Sequence, residues 1–475
     1  MGRRTAWWRG IWRRTAWWRG IWRRTAWRRV AVVGAVLGAV AGVPGAPALA
    51  ASPSPSASSS PSSATAPSYV FAAGAPSVEG TVSTGDAELL EPGRTYRSSL
   101  PSEGKVYYRL DLDSTSSVYV AATAVPPSDT PVTATEGVRV TVQDADGRFC
   151  SAPDTATIGA GRSPRPLTAW GARTLPSKRS LCRGAGTYYV AVERVLRTES
   201  VPGDWDLELA PVLEPRLRQT GSTGEAPESW DSATPSPPGG GSVPVRGGGG
   251  FGSATALEQG VWQDDVRPGQ TLFYEVPVGW GQQVYATAEI SSAEAGAGGV
   301  SGKGLVPGAV NLALYNPVRG LVDDTSISYS GSQRSGALPA VPPVGYDNRY
   351  AVSERVSGMR FAGAYFLVVH LAARVGEEFG DGPLGLTLRV RVKGEPEGGP
   401  GYAGESKPAG LFQAGPGSSS EDGAAPGDES GGVSGSGHGS LGMKVAAFGG
   451  IGAGTLVLGV LGVWVVVGRR RAAGV

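Results

Sequence analysis

The chain has 475 residues, with 43 Lys and Arg against 41 Asp and Glu, 74 Gly, 37 Pro, 2 Cys and 2 His. Glycine and proline together approach a quarter of the chain, a share typical of loop-rich proteins rather than of a helical enzyme. Two histidines exclude a three-histidine catalytic zinc site, two cysteines exclude a four-cysteine structural zinc site, and the near-zero net charge argues against a nucleic-acid partner.

Residues 1–50 are predicted to be a secretory signal peptide. Ten arginines and no acidic residue fall within the first 29 positions, an apolar run follows at 30–43, and Ala48 and Ala50 supply the small-residue cleavage pattern. The alternative is an uncleaved anchor helix. Because a helix needs about 20 apolar residues to span a bilayer and this run is shorter, we expect cleavage after Ala50.

Three segments have the composition of disordered linkers. Residues 51–74 are rich in Ser and Pro, residues 215–255 are rich in Gly and Pro, and residues 394–443 form an acidic, Gly-rich stalk. They separate two segments, 75–214 and 256–393. Each of these has close to 140 residues, which is long enough to bury a core of its own.

Both long segments are predicted to be all-β. Short runs rich in β-branched and aromatic residues alternate with Gly, Pro, Ser and Asp, and helical periodicity is not evident. The runs are 106–112, 118–121, 138–142 and 188–192 in the first segment, and 272–276, 284–288, 310–315, 365–370 and 386–392 in the second. Many short strands separated by turns predict two tandem β-sandwich or jelly-roll domains.

The two segments also match each other in sequence. The matches, in one order, pair 92–95 with 268–271, 118–121 with 284–287, 186–192 with 363–369, and 207–209 with 386–388. The first match has an offset of 176 and the second an offset of 166. This difference predicts about ten extra residues in the first copy, around 98–105, within an internal duplication.

The order of these motifs resembles a known family. A Pro-Gly-x-Thr turn before a strand, Val-Tyr in a sheet, and Ala-Gly-x-Tyr-[Tyr/Phe]-[Val/Leu]-x-Val near the end are similar to bacterial pre-peptidase C-terminal domains. The second segment is also similar to the region after the von Willebrand A module in some secreted actinobacterial membrane proteins. That module itself is missing here, so its metal-dependent binding is not implied. The resemblance implies β jelly rolls that act as binding or accessory modules of exported proteins.

Residues 444–468 are predicted to be a single transmembrane helix. They contain 23 consecutive uncharged, mostly apolar residues and precede Arg469, Arg470 and Arg471, which we expect to stay cytoplasmic in the tail 469–475. A buried core helix is the alternative. With the signal peptide removed, residues 51–443 face outward and carry 29 basic against 41 acidic residues, which makes nucleic acid still less suitable as a partner.

Cys150 and Cys182 are predicted to form a disulfide. Both lie in the exported part of the first domain, where an oxidising environment favours a bridge over the alternative of two free thiols.

No residue is assigned to catalysis, to a metal or to a cofactor. His370 is the only histidine that could serve as a general base, and a structural role on its strand is the stronger interpretation. The pairs Asp264-Asp265 and Asp323-Asp324 could form a glycosidase pair, but acidic loop residues are usually only solvated. Asp144 and Asp146 could bind calcium, although Asp-Gly between strands first indicates a hairpin turn.

A possible binding surface is predicted from Trp262, Trp280 and Tyr285 in the second domain. Aromatic side chains can stack on sugar rings or anchor a partner, whereas in a sandwich most of them fill the core. Taken together, the sequence predicts a non-enzymatic binding or scaffold protein of the cell membrane, which meets an envelope protein or a wall polymer. The alternative is an accessory ectodomain that positions a separate secreted protease or wall hydrolase.

Overall fold

The computed structural model describes residues 69–175, 181–196, 201–218, 224–293 and 304–413. The predicted signal peptide with Ala48 and Ala50, the helix 444–468, and Arg469, Arg470 and Arg471 lie outside these ranges. Among the residues described, no helix has both the length and the apolar character that crossing a membrane requires.

The first sandwich contains eight strands in two four-stranded sheets. The strands are β1 (Tyr96–Leu100), β2 (Lys105–Leu112), β3 (Ser117–Val125), β4 (Gly137–Asp144), β5 (Asp154–Thr157), β6 (Leu167–Arg173), β7 (Gly186–Val195) and β8 (Trp205–Glu214). One sheet has the order β1-β8-β3-β6 and the other has the order β2-β7-β4-β5. The strand pairs within both sheets are antiparallel.

The second sandwich is built from two five-stranded sheets. Its strands are β9 (Val243–Pro244), β10 (Thr255–Ala256), β11 (Gly260–Val266), β12 (Thr271–Val278), β13 (Gln283–Ile290), β14 (Val306–Tyr315), β15 (Leu321–Tyr329), β16 (Arg334–Ala337), β17 (Gly363–Leu371) and β18 (Leu384–Lys393). The sheets have the orders β10-β12-β17-β14-β15 and β16-β13-β18-β11-β9. Two short helices, α1 (Glu354–Ser357) and α2 (Arg374–Phe379), flank β17.

The strands form where the sequence alternates apolar and polar residues. In β2 and β18 every second side chain is buried, as expected for strands with one face on a core. The inward-facing side chains of each pair of sheets form a separate apolar core. The prediction of an all-β chain with two tandem sandwiches is therefore confirmed.

The two sandwiches share one topology. When β9 and β10 are set aside, the strands of each copy follow the order first-eighth-third-sixth in one sheet and second-seventh-fourth-fifth in the other. Eight strands in two sheets of this kind correspond to a jelly roll. The pairing register is also preserved, because Tyr108 lies opposite Val190 in the first copy and Tyr274 lies opposite Leu367 in the second. The duplication expected from the sequence is thus visible in the backbone.

One sequence match within the duplication is wrong. The Pro92-Gly93 turn precedes the first strand of its copy, whereas the Pro268-Gly269 turn connects the first and second strands of the other copy. The registers of β1 with β8 and of β11 with β18 place Tyr96 and Trp262 at equivalent positions, again with an offset of 166. The expected ten-residue insertion around 98–105 therefore does not exist.

The sandwiches are stacked face to face, so that four sheets form four layers. All residues of β3 except the last are buried, as are almost all residues of β17, which means that both faces of these strands are covered. Side chains of β3 and β6 contact loops of the second sandwich, as where Tyr119 packs edge-on against Phe361 at 5.1 Å. The sheets that contain β3 and β17 are the two inner layers.

Two connecting segments are bound to the sandwiches. Around Asp231, the chain between the domains lies along the second sandwich, where the Lys393 ammonium pairs with the Asp231 carboxylate at 2.6 Å. Residues 394–413, which we expected to begin the stalk, return to the first sandwich. There the backbone of Lys407 pairs with Leu213 of β8.

The predicted disulfide between Cys150 and Cys182 is confirmed. Cys182 belongs to the core of the first sandwich, and Cys150 packs against that core. The bridge connects the loop after β4 to the loop before β7, 32 residues apart in sequence.

Removing both cysteines should destabilise the first sandwich. In the chain-entropy model, a bridge that closes a loop of this length stabilises the folded state by about 3.5 kcal/mol, because it restricts the unfolded chain. We expect the double variant Cys150→Ser with Cys182→Ser to lose about that much in urea unfolding. An unfolding free energy within about 0.5 kcal/mol of wild type would contradict this expectation.

Candidate functional site

Two buried glutamates of β8 connect the sandwiches. Glu208 accepts hydrogen bonds from the Tyr69 hydroxyl at 2.9 Å, from the Ala72 backbone N–H at 2.8 Å, and from the Arg319 guanidinium at 2.6 Å. Arg319 belongs to the turn between β14 and β15 of the second sandwich, while Tyr69 precedes the first sandwich. One carboxylate therefore joins three separate parts of the chain.

Glu214 forms a second junction of the same kind, six residues further along the strand. Its carboxylate accepts hydrogen bonds from the Tyr119 hydroxyl at 2.7 Å, from Arg349 at 2.7 and 3.2 Å, and from the Tyr402 hydroxyl at 3.0 Å. Burial by itself would lower the pKa of Arg349, but the Glu214 carboxylate outweighs it and holds that pKa above its usual range. Arg349 therefore stays charged as the counter-ion of Glu214.

Aromatic side chains surround this second junction. The guanidinium of Arg360 is buried and lies 5.0 Å from the ring of Trp170 and 5.8 Å from the ring of Tyr119, and the pKa of Arg360 is lowered by burial. Tyr119 stacks on Trp170 with ring centroids 5.6 Å apart, and Phe361 stacks on Phe412 at 5.0 Å. The interface thus combines ion pairs with an apolar cluster, which fixes the two sandwiches relative to each other.

A polar cavity of about 310 Å³ lies between the sandwiches. The first sandwich contributes the loop around Arg165, with β5 and the beginning of β6, and the second contributes residues of β14, β15 and β17. At one wall the two backbones touch, because a Cβ placed on Gly161 would lie only 2.6 Å from the carbonyl oxygen of Gly308. The polar side chains in the wall are Thr155, Thr157, Ser163, Arg165, Thr168, Asn311, Tyr315, Asp324, Ser326 and His370.

His370, the candidate base, is a buried member of this wall. Its Nδ1 lies 2.9 Å from the Thr271 hydroxyl, whereas its Nε2 is buried and has no hydrogen-bond partner within the described residues. Burial, assisted by the positive charge of Arg165, lowers the pKa of His370 to about 3. The imidazole is therefore neutral at physiological pH.

This burial predicts a specific loss of stability in acid. In the unfolded chain the histidine binds a proton below about pH 6.5, whereas the folded protein does not bind it until about pH 3, so stability falls as pH falls between these values. The expected slope is at most about 1.4 kcal/mol per pH unit. We expect His370→Asn to remove this component in urea unfolding at pH 7 and pH 4.5. Equal pH dependence in wild type and variant would contradict the prediction.

A second groove of about 280 Å³ adjoins the polar cavity and shares Arg165 with it. Its wall includes Tyr69, Asp129, Asp206 and Thr271, so it too is formed by both sandwiches. The Arg165 side chain donates to the backbone carbonyls of Ile158 and Thr157. Within the described residues, no carboxylate lies at ion-pair distance from this guanidinium.

The three predicted surface aromatics do not form one surface. Trp262 packs partly against the core of the second sandwich and donates its indole N–H to the carbonyl of Glu258. Tyr285 is buried, and its hydroxyl contacts the carbonyl of Ala233 in the segment between the domains. Trp280 packs partly against the same core as Trp262 and lines a groove that also contains Tyr402 and Phe412.

The paired carboxylates have structural partners. Asp264 accepts from the Tyr274 hydroxyl and the Gly247 N–H, both at 2.7 Å, and Asp323 pairs with Arg355. Asp324 accepts from the Asn311 side chain at 2.7 Å.

The residues considered for calcium lie at the end of β4 and in the turn that follows it. Both Asp144 and Asp146 form ion pairs with Arg148, at 2.9 and 2.5 Å. Among the described residues no group of three or more His, Cys, Asp or Glu side chains is arranged to hold a metal ion.

Comparisons with known proteins place the chain in no family. No protein-family description matches it, and no curated protein matches it. Among solved structures, the CUB1-EGF-CUB2 domains of human MASP-1/3 match 62% of this chain and 99% of their own, with 10% identity and a TM-score of 0.15. The tandem CBM22 modules of Paenibacillus barcinonensis Xyn10C match 64% and 92%, with 8% identity and a TM-score of 0.17.

A third solved structure has the same kind of likeness. The tandem CBM51 modules of a Streptococcus pneumoniae family 98 glycoside hydrolase match 64% of this chain and 84% of their own, with 10% identity and a TM-score of 0.16. These likenesses are distant, and nothing about the role of this chain follows from them.

Proposed function

We propose that the chain is a non-enzymatic binding protein of the cell surface, anchored in the membrane by residues 444–468, whose two sandwiches act as one rigid outward-facing unit. The observation that carries the proposal is the polar cavity built jointly by the two sandwiches and held in shape by buried ion pairs. Binding sites are commonly concave and largely preformed, and they often occur where domains meet. A rigid junction also reduces the entropy cost of ordering a site when a partner binds.

The partner that suits this site best is a polymer of the cell envelope. The cavity wall combines hydroxyl, amide and carboxylate side chains with glycine and aliphatic residues, and among the described residues it contains no aromatic side chain other than Tyr315 and His370. The polar groups recognise hydroxylated ligands through directional hydrogen bonds. The excess of acidic residues in the region 51–443 opposes a nucleic-acid partner.

The topology of the proposal is tested on intact cells that express the full chain. If the sandwiches face outward, added protease should degrade residues 69–413 without cell lysis, whereas a C-terminal epitope tag after Val475 should stay protected. A C-terminal tag that is digested in intact cells would overturn the predicted orientation.

Binding is tested by sedimentation of the detergent-purified full chain with washed cell-wall fragments from the source organism. We expect co-sedimentation that saturates with protein concentration and is competed by soluble wall polymer. Recovery of a single secreted hydrolase from the same envelope, with no affinity for the polymer, would overturn polymer binding in favour of the accessory role suggested by the likeness to pre-peptidase C-terminal domains.

A further inference from the structure

Arg165 is a cation without a carboxylate partner among the described residues, and it lies in the wall of the polar cavity. Arg319 and Arg349, which also cross between the sandwiches, each donate to a buried glutamate. Arg360 instead lies against the rings of Trp170 and Tyr119 and does not line this cavity. Arg165 donates to two backbone carbonyls, and no described carboxylate lies at ion-pair distance. Because a guanidinium has five N–H donors, the two that bind Ile158 and Thr157 leave donors for a ligand.

The surroundings of Arg165 are rich in groups that bind hydroxyls. Besides Tyr315, the cavity wall carries five Ser and Thr side chains: Thr155, Thr157, Ser163, Thr168 and Ser326. The buried Nε2 of His370, in the same wall, has no hydrogen-bond partner among the described residues, so a bound water or a ligand hydroxyl could pair with it. Tyr315, in the same wall, interacts with Arg165 as well.

Three carboxylates line the cavity and the groove that adjoins it. Asp324 lies in the wall of the polar cavity, where Asn311 binds it, while Asp129 and Asp206 line the adjoining groove. Carboxylates accept hydrogen bonds from hydroxyl groups and repel a second negative charge. The arrangement therefore favours a ligand with one anionic group, placed at Arg165, and several hydroxyl groups around it.

We propose that the cavity around Arg165 binds an acidic sugar unit, with the sugar carboxylate on the Arg165 guanidinium and the ring hydroxyls on Asn311, Asp324 and Ser326. Bidentate pairing with a planar carboxylate is the interaction for which arginine is best suited. A volume of about 310 Å³ lies at the small end of ligand sites, which fits one sugar unit better than a long segment. The inference rests on the proposed function and names the substrate class of its site.

The test is calorimetric titration of the detergent-purified full chain with glucuronate, glucose and alanine at pH 7. We expect glucuronate to bind at least tenfold more tightly than glucose, because the neutral sugar lacks the charged hydrogen bonds to the guanidinium. The variant Arg165→Gln should weaken glucuronate binding at least tenfold. The matched control is Arg162→Gln, which removes an exposed arginine three positions away that does not line the cavity.

A second variant blocks the cavity without removing the charge. Ser326 is an exposed side chain of β15 at the cavity wall, so Ser326→Trp should abolish glucuronate binding and leave thermal unfolding unchanged. Equal affinity for glucose and glucuronate, tighter binding of alanine, unchanged binding in Arg165→Gln, or no binding of glucuronate would each overturn the inference. In those cases the proposed function stands if wall fragments still co-sediment with the chain, and it fails if they do not.

Discussion

The variant Glu214→Leu is expected to be destabilised by about 3–5 kcal/mol, the usual consequence of removing one partner of a buried ion pair. Glu214 is 1% exposed, and its carboxylate is the acceptor for two tyrosine hydroxyls and the Arg349 guanidinium. Without it, Arg349 would stay buried beside Arg360 with no negative charge between them. Separation of the sandwiches is the route by which both guanidinium groups regain water.

Urea unfolding and small-angle X-ray scattering together check this expectation. Separation would raise the radius of gyration before the sandwiches themselves unfold, whereas a purely local loss would lower stability at unchanged size. The matched control is Glu193→Leu, since Glu193 pairs with Arg139 and Lys105 on the outer face of the same sandwich with about a quarter of its side chain exposed. The control should lose less than about 1 kcal/mol. Similar losses in both variants would contradict the role of Glu214.

The second large effect is expected at Arg194, inside the first sandwich. Its guanidinium binds the Glu136 carboxylate, and both side chains are fully buried. It also lies 4.1 Å from the ring of Trp205 and donates to the carbonyl of Gly203 at 2.6 Å. Arg194→Met leaves Glu136 with the backbone N–H of Thr133 and no counter-ion, so we expect a loss of about 3–5 kcal/mol.

A double variant tests whether the loss of stability comes from the unpaired Glu136 or from the other contacts of Arg194. Because a lone buried carboxylate is the main penalty, adding Glu136→Leu to Arg194→Met should recover part of the lost stability. The exposed control is Arg139→Met, in which the partner Glu193 can be solvated, and its loss should stay below about 1 kcal/mol. No recovery in the double variant would mean that Arg194 acts through Trp205 and the backbone instead.

Local sequence patterns were sufficient to predict nine of the 18 described strands, whereas others, among them β1, β6, β11 and β15, were not predicted. Runs such as 106–112 and 386–392 alternate apolar and polar side chains with the period of a strand, and they became β2 and β18. The cysteine pair was predictable for a different reason, because the chain has only two cysteines and both lie in one domain. In each case the information is carried by residues close together in sequence or by composition.

The alignment of the copies failed where a turn motif was weighed more heavily than strand register. Pro-Gly turns fit many strand connections, so the likeness of Pro92-Gly93 to Pro268-Gly269 carried no positional information. A comparison of 105–112 with 271–278 has the same offset of 166 as the match at 118–121 and would have given the correct register.

The cavity was beyond sequence reasoning. Arg165 lies in the stretch Arg-Ser-Pro-Arg-Pro, which has no recognisable motif, and the site forms only when the two sandwiches are stacked. The burial of Glu208 was not predictable either, because Glu208 alternates with Leu207 and Leu209 in β8, and such alternation normally indicates a strand face that is exposed to solvent. The partners of Glu208 and Glu214, 111 and 135 residues away, had no local signal.

The docking of residues 394–413 on the first sandwich determines how a pulling force enters the molecule. A load applied beyond residue 413 does not reach β18 first, because Tyr402 is bound to Glu214 and Lys407 is paired with Leu213. The force would act on the contact between the sandwiches, across several hydrogen bonds at once, instead of peeling the last strand away one bond at a time. In the proposed arrangement, with the chain anchored through residues 444–468, we expect this path to protect the second sandwich from unfolding under tension.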